Sequence, residues 1–379
     1  MRLAVVKERA AHETRVAATP ETVRKLIGLG LTVAIEAGAG VASGIADAAY
    51  AEAGAEIAPN AAAALAGADI VFAVRLPQAR GAIKRGALVL CIAAADAATA
   101  ADLAGAGIDV VAMERLPRIT RAQSMDVLSS QANLAGYRAV IEAATAFDRG
   151  FPMMMTAAGT VPPARVFVIG AGVAGLQAIA TARRLGAIVS ATDVRPAAKD
   201  EIKSLGATFV GVEDEESAAA QTAGGYAREM SEAYRQKQAE LVAATIAKTD
   251  IVITTALVLG RRAPQLVSEA HVASMKPGSV IADIASDAGG NCALTVPGQM
   301  RVTENGVKIL GFVNWAGRLP VAASNLYARN LLTFLTNFWN KDNGGPVLPE
   351  ADPIIAGAML TRGGQVVHPD LRPATPDAA

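Results

Sequence analysis

Short apolar runs rich in β-branched residues recur along the chain, and stretches with helical spacing separate them. Residues 3–6, 31–36, 70–74, 87–92 and 110–113 make a first series. Residues 165–169, 188–192, 208–212, 251–254, 279–283 and 307–311 make a second. Unbroken apolar runs of this length predict strands of a parallel sheet covered on both faces. Helices are predicted over 21–29, 176–185, 201–205 and 229–248. The first of these has Thr19 as its N-cap and Pro20 in its first turn. Strands alternating with helices give the expected class: α/β, with two Rossmann-like doubly wound parallel-sheet domains joined by long helices.

Two longer helical stretches, 127–147 and 321–339, flank the second series. They predict one domain from 1–125 plus 315–379 and a second from 126–314. Residues 151–155 read as an apolar connection, and Pro162-Pro163 stops any helix before the next strand. From Pro346 on, proline and glycine are frequent, so this tail is expected to be partly mobile.

Composition changes this picture little. The 35 basic residues balance the 35 acidic ones, so no basic field points to nucleic acid. The longest apolar run, 87–95, is too short to span a bilayer. No signal peptide is expected, because Arg2 leads straight into a strand-like run and then Lys7-Glu8-Arg9. Cys91 and Cys292 sit in apolar or glycine-rich segments and read as reduced core thiols of a cytosolic chain. His12, His271 and His368 are scattered, and no metal site is predicted.

The chemistry concentrates at residues 165–193. The strand R-V-F-V-I leads into Gly170, Gly172 and Gly175 at G-x-G-x-x-G spacing, then a helix, then a strand ending on Asp193. Gly170 permits the tight strand-to-helix turn. Gly172 lets backbone approach a pyrophosphate, and Gly175 lets helix and strand pack closely. The helix start adds free N–H groups and a positive dipole end. Asp193, about 20 residues on, suits a ribose diol and disfavours a 2′-phosphate. The expected cofactor is therefore NAD(H), although Arg195 nearby is of a type that can hold a 2′-phosphate. Strand ends at Leu257 and Asp283 are further candidates for cofactor contact, since ligands in open α/β sheets bind beyond C-terminal strand ends. By contrast, the run G-A-G-V-A-S-G at 38–44 has the wrong glycine spacing for a phosphate loop. The charged, glycine-containing insertion over 213–225 reads as a mobile or functional loop.

Residues 118–126, R-I-T-R-A-Q-S-M-D, are dense in donors and acceptors. Gln123 and Ser129 can orient a carboxamide, and Arg118 can pair with Asp126. The plainer reading is a capped helix start. This segment, the helix S-S-Q-A-N-L-A-G-Y-R-A-V and the string M-M-M-T-A-A-G-T-V-P-P-A-R closely resemble the NAD(H)-binding subunits of the proton-translocating nicotinamide nucleotide transhydrogenases. So do A-G-A-G-V, T-A-G-G-Y-A-R-E-M, M-K-P-G-S-V and A-G-G-N-C.

The resemblance implies residue roles. Arg118, Gln123, Asp126 and Ser129 match the loop that contacts nicotinamide and ribose at the interface with an NADP(H)-binding component. Gly170, Gly172, Val173, Gly175, Asp193, Val194, Arg195, Gly225 and Leu257 match NAD(H)-contacting positions. Tyr226 matches a mobile-loop tyrosine that closes over nucleotide. The resemblance further implies a homodimer, membrane-embedded partner subunits, NADP(H) held on the partner, and a cytoplasmic chain peripheral to the inner membrane with no insertion of its own.

The alternatives are an alanine dehydrogenase-like amino-acid dehydrogenase and a non-catalytic NAD-binding module. Alanine dehydrogenases, to which the chain is also similar, carry a lysine and a histidine after two N-domain strands. The matching positions here are Arg75 and Ile92. Neither serves as the usual base, and structural pairing is expected for Arg15. Transfer of hydride between two nicotinamides needs no substrate proton relay, so positioning and water exclusion carry the catalysis.

Overall fold

The computed structural model describes residues 1–195, 197–212, 231–257 and 260–372. The chain divides into two compact units. One comprises Met1–Gln131 with Gly317–Ala379, and the other Ala132–Ala316.

The first unit is built on an eight-stranded sheet. Its order is Gln365–Val366, Met359–Arg362, Asp109–Ala112, Leu88–Ile92, Ile70–Arg75, Arg2–Val5, Thr32–Glu36, Glu56–Ala58. The six N-terminal strands are parallel, as their apolar runs predict. The two C-terminal strands add antiparallel at one edge. They correct the expectation of a mobile tail. The segment D-P-I-I-A-G-A-M-L places Pro at the first turn of the helix Pro353–Ala358, capped by Asp352. Ile354, Ile355 and Leu360 are buried. Helix Pro20–Gly28 starts as expected, with Thr19 and Thr22 forming a reciprocal cap. Helix Pro320–Asn337 packs Tyr327, Leu331, Phe334 and Leu335 into the core of this unit. It lies wholly within the first unit, so only one of the two long helices crosses the division.

The second unit carries a seven-stranded sheet ordered Thr208–Phe209, Ile188–Thr192, Arg165–Ile169, Ile251–Thr254, Val280–Asp283, Lys308–Leu310, Met300–Val302. All pairs are parallel except the last, where Met300–Val302 runs antiparallel at the edge. Numbered in chain order through the parallel strands, this is the arrangement 3-2-1-4-5-6, in which the direction of winding reverses beside Arg165–Ile169. In open α/β sheets ligands bind at such a reversal, here beyond the C-terminal ends of Arg165–Ile169 and Ile251–Thr254. The expected plain connection before this sheet is instead a hairpin, Met154–Thr156 with Gly159–Val161. Ala157 and Ala158 form its turn and positive-φ Gly159 opens the return strand, a reversal that apolar content alone does not signal.

Candidate functional site

The glycine turn meets the geometric demands that its spacing predicts. Gly170 has φ +100°, and a Cβ there would stand 2.5 Å from the Thr255 Oγ1. A Cβ on Gly175 would stand 1.8 Å from the Gly170 carbonyl oxygen. Both positions are closed to any side chain. Gly172 differs, since nothing lies within 4 Å of where its Cβ would be. That space is open for a ligand to approach the backbone. Gly172 is also the N-cap of helix Val173–Arg184, and no side chain caps the helix start. The first N–H groups are thus left to whatever binds there. Exposed apolar side chains surround the turn: Val173, Val194 and Leu257, the last 52% exposed. A group with polar phosphates and apolar ring faces fits this arrangement.

A second glycine fixes the turn from behind. In the long helix Val127–Ala146, a Cβ on Gly136 would lie 2.0 Å from the Ala174 carbonyl oxygen. The lone glycine of an otherwise uninterrupted helix is there so that the helix behind the glycine turn can come close.

Asp193 ends its strand as expected, and its carboxylate is already engaged. One oxygen accepts from the Ala171 N–H at 2.7 Å, and the other accepts from the Arg195 N–H at 2.8 Å. The Arg195 guanidinium bonds the same carboxylate and the Ala171 carbonyl oxygen. This pairing with Asp193 raises the Arg195 pKa further. Arg195 is therefore already paired with Asp193 and the Ala171 carbonyl.

The neighbouring strand end is organised by Asp283. It is fully buried, and its carboxylate accepts from Thr254, Thr295 and the backbone N–H groups of Ala285, Asn291 and Cys292. Five donors make it a structural hub. Asn291 in turn grips both the N–H and the carbonyl of Ala256, one residue before Leu257. Trp315, buried, donates its indole N–H to the Asp283 carbonyl at 3.0 Å. Composition and spacing did not single out Asn291. The string A-G-G-N, two positive-φ glycines before a carboxamide, is the signal that points to it.

In the first unit, residues 118–129 form a 3₁₀ turn, Thr120–Met125, and then the long helix. Ala122 and Met125 are buried, while Arg118 and Gln123 are exposed. Asp126 does not pair with Arg118. It accepts from the Ser129 N–H at 2.9 Å and from the Ser129 hydroxyl, so the cap outcompetes the ion pair. The pairing expected of Arg118 and Asp126 is thus corrected: three residues of helix start hold the acid closer than a side chain eight residues away. Gly225 and Tyr226 lie outside the described residues.

The strand ends of the first unit hold a second polar cluster. Arg15, buried, makes two bonds to the Glu13 carboxylate at 2.8 and 2.7 Å and a third to Gln131 at 3.0 Å. Its guanidinium also lies 5.9 Å from the Tyr327 ring centre. Arg75 reaches Glu13 at 3.4 Å, and Ile92 carries no titratable group. Glu8, which sequence reasoning missed, accepts the Val74 N–H at 2.6 Å and the Arg75 N–H. Burial pushes its carboxyl up to about 7 against the pull of those N–H groups, and the charge on Glu13 adds to the rise. Glu13 is pushed up by burial too, but the bonds from Arg15 prevail and hold it below its usual range. Of the glycines at 38–44, Gly40 serves packing, since a Cβ there would stand 2.7 Å from both the Ile45 carbonyl oxygen and the Tyr50 ring, while Gly38 and Gly44 adopt positive φ.

Comparison with known proteins adds the following. The family described as alanine dehydrogenase/PNT matches twice, its N-terminal domain over residues 4–135 and its C-terminal domain over 139–369. An NAD(P) transhydrogenase alpha-subunit polypeptide of Rhodospirillum rubrum is 53% identical over 98% of this chain and 99% of its own. The solved transhydrogenase of Sinorhizobium meliloti superposes with a TM-score of 0.87 at 50% identity, over 97% of this chain and all of that one. A solved L-alanine dehydrogenase superposes with a TM-score of 0.78 at 26% identity, over 98% of both chains.

Proposed function

The chain belongs to the alanine dehydrogenase/PNT family, alongside its NAD(P) transhydrogenase alpha subunits, and from that membership we propose that it binds NAD(H) and passes hydride directly to NADP⁺ held on a partner component. The observation that carries the reading is the glycine turn. Gly172 leaves the ligand side open while Gly170 and Gly175 close the protein side. The uncapped helix start would hold the pyrophosphate, and Asp193 would receive the ribose hydroxyls. Bound NADH supplies a hydride at C4 of its nicotinamide. Gln123 and Ser129 would orient the carboxamide, with Arg118 and Asp126 completing the contact surface. Val194 and Leu257 would contact the rest of the nucleotide.

The step moves one hydride from C4 of one ring to C4 of the other, and no proton is left over. That accounting suits the strand ends of the first unit. Amino-acid dehydrogenation needs a cation for the substrate carboxylate and a base for the proton. At the two positions where alanine dehydrogenases carry their lysine and histidine, Arg75 pairs with Glu13 and Ile92 cannot take a proton, and the Arg15 guanidinium is engaged by Glu13 and Gln131. In this reading the chain works as a homodimer at the cytoplasmic face of the inner membrane. Membrane-embedded partner subunits couple the transfer to proton translocation. Among the described residues no helix is long and apolar enough to cross a membrane, so the proton path is assigned to those partners.

The test is NADH oxidation in two mixtures. One holds the chain with pyruvate and ammonium; the other holds the chain with an NADP(H)-binding transhydrogenase component and NADP⁺. Turnover is expected only in the second. Turnover in the first would make the chain an amino-acid dehydrogenase, and NADH binding without turnover in either would leave a nucleotide-binding module.

A further inference from the structure

Helix Pro320–Asn337 lays a largely apolar face on the core of the first unit, yet Ser324 and Asn330 on it are buried polar residues. Asn330 is 7% exposed, between Tyr327 and Phe334, which are both fully buried. A carboxamide in such surroundings costs free energy unless both of its ends are bonded. Both are. Its Nδ2 donates to the Ser124 carbonyl oxygen at 2.9 Å, and its Oδ1 accepts from the Ser130 hydroxyl at 2.8 Å.

These two partners lie on either side of Asp126. Ser124 follows Gln123 in the 3₁₀ turn, and Ser130 follows Ser129 in the first turn of the long helix. One side chain thus spans the corner at which the chain changes from 3₁₀ to α-helix. Inside the corner, Ala122 and Met125 are sunk in the core. Outside it, Arg121 pairs with Asp352, the cap of helix Pro353–Ala358, and lies 6.0 Å from the Phe338 ring centre. The exposed Gln123 stands between these anchors, and the Asn330 bridge holds the chain on both sides of Asp126.

We infer that Asn330 is a positioning residue for hydride transfer: its carboxamide, bonded to Ser124 and Ser130, sets the angle of the corner that presents Gln123 and Asp126. The inference rests on the proposed role of that segment at the nicotinamide. A leucine would fill the same space and keep the apolar packing, but it would leave the corner free to pivot about its two buried anchors. An aspartate keeps the acceptor for Ser130. When ionised it opposes the Ser124 carbonyl oxygen, and when protonated it can donate to it again.

The experiment uses the full chain with the NADP(H)-binding component. Asn330→Leu is expected to keep NADH binding within about threefold and to lower kcat of NADH-to-NADP⁺ transfer at least tenfold. Amides 120–126 should exchange at least tenfold faster, with those of 170–175 unchanged. Asn330→Asp should be as slow at pH 8 and recover toward pH 5.5, relative to the unsubstituted chain at each pH, a recovery that Asn330→Leu lacks. Ser130→Ala, which removes one arm, should fall between. An unchanged kcat in Asn330→Leu overturns the inference, as does a loss that follows the folded fraction by circular dichroism, or unchanged exchange at 120–126. Absence of turnover in the unsubstituted chain overturns instead the proposed function on which the inference stands.

Discussion

Gly172 and Gly175 stand three residues apart and respond to a Cβ in opposite ways. At Gly172 the Cβ enters open space, and at Gly175 it meets the Gly170 carbonyl oxygen at 1.8 Å. Gly172→Ala should therefore leave the melting temperature within about 2 °C and weaken NADH binding at least tenfold. Gly175→Ala should destabilise the fold by about 2–4 kcal/mol, because the obstruction is backbone and cannot rotate away. Thermal melts and fluorescence titration of both variants check this; equal loss of stability in the two would refute the division of roles. Glu8 gives a second prediction. Its carboxyl is raised from 4.5 to about 7 by burial, so the folded state holds the proton more tightly than the unfolded one. The stability it contributes is complete below about pH 4.5 and is lost as pH rises through 7. At about 1.4 kcal/mol per unit, the loss is on the order of 3 kcal/mol. Glu8→Gln should gain on the unsubstituted chain by that order between pH 5 and 8, as read by denaturant unfolding. A difference independent of pH would remove the assignment. The spacing of the glycines was legible in the sequence because each one obeys a local steric rule. Glu8 was not, because its shift comes from packing against strand ends 66 residues away in the chain.

Elements were most legible where pattern and packing agree. Strands buried on both faces announce themselves as apolar runs. Helix starts announce themselves by their caps, as Thr19 and Pro20 do. The C-terminal segment was misread because proline and glycine outweighed the short apolar string after Asp352. Pro353 is an N1 residue there, and the glycines make turns around an added strand pair. Removing residues 344–379 tests this. The truncation strips Ile354, Ile355 and Leu360 from the core and exposes the edge at Asp109–Ala112. Each buried aliphatic side chain is worth about 2–4 kcal/mol, so the sum approaches the whole stability of an ordinary domain. Loss of cooperative unfolding or of soluble protein is expected; a melting temperature lowered by less than about 3 °C would mean that the segment is dispensable. The hairpin Met154–Val161 was hidden for another reason. Its strands are short and solvent-exposed, so no burial pattern marks them.

For the whole molecule, order along the chain and order in the sheet are separate facts. The sequence by itself determined the α/β class, the dinucleotide turn with its acid 18 residues after the last glycine, and the family resemblance, since these depend on residues close in the chain. It also placed no usual dehydrogenase base at Arg75 or Ile92. Tertiary structure decided the rest. It set the strand order 3-2-1-4-5-6 and joined the C-terminal strands to the N-terminal sheet. It turned Arg195 onto Asp193, gave Asp126 to Ser129 rather than to Arg118, and made Asp283 a hub with five donors. It enclosed Arg15 between Glu13 and Gln131. The physical reason is common to all of these. A side chain's partner is whichever group folding brings within about 3 Å, and the burial of both sets the strength of the bond. Local spacing fixes which residues can bond through the backbone of one turn. It leaves open which distant carboxylate, amide or strand edge arrives beside them.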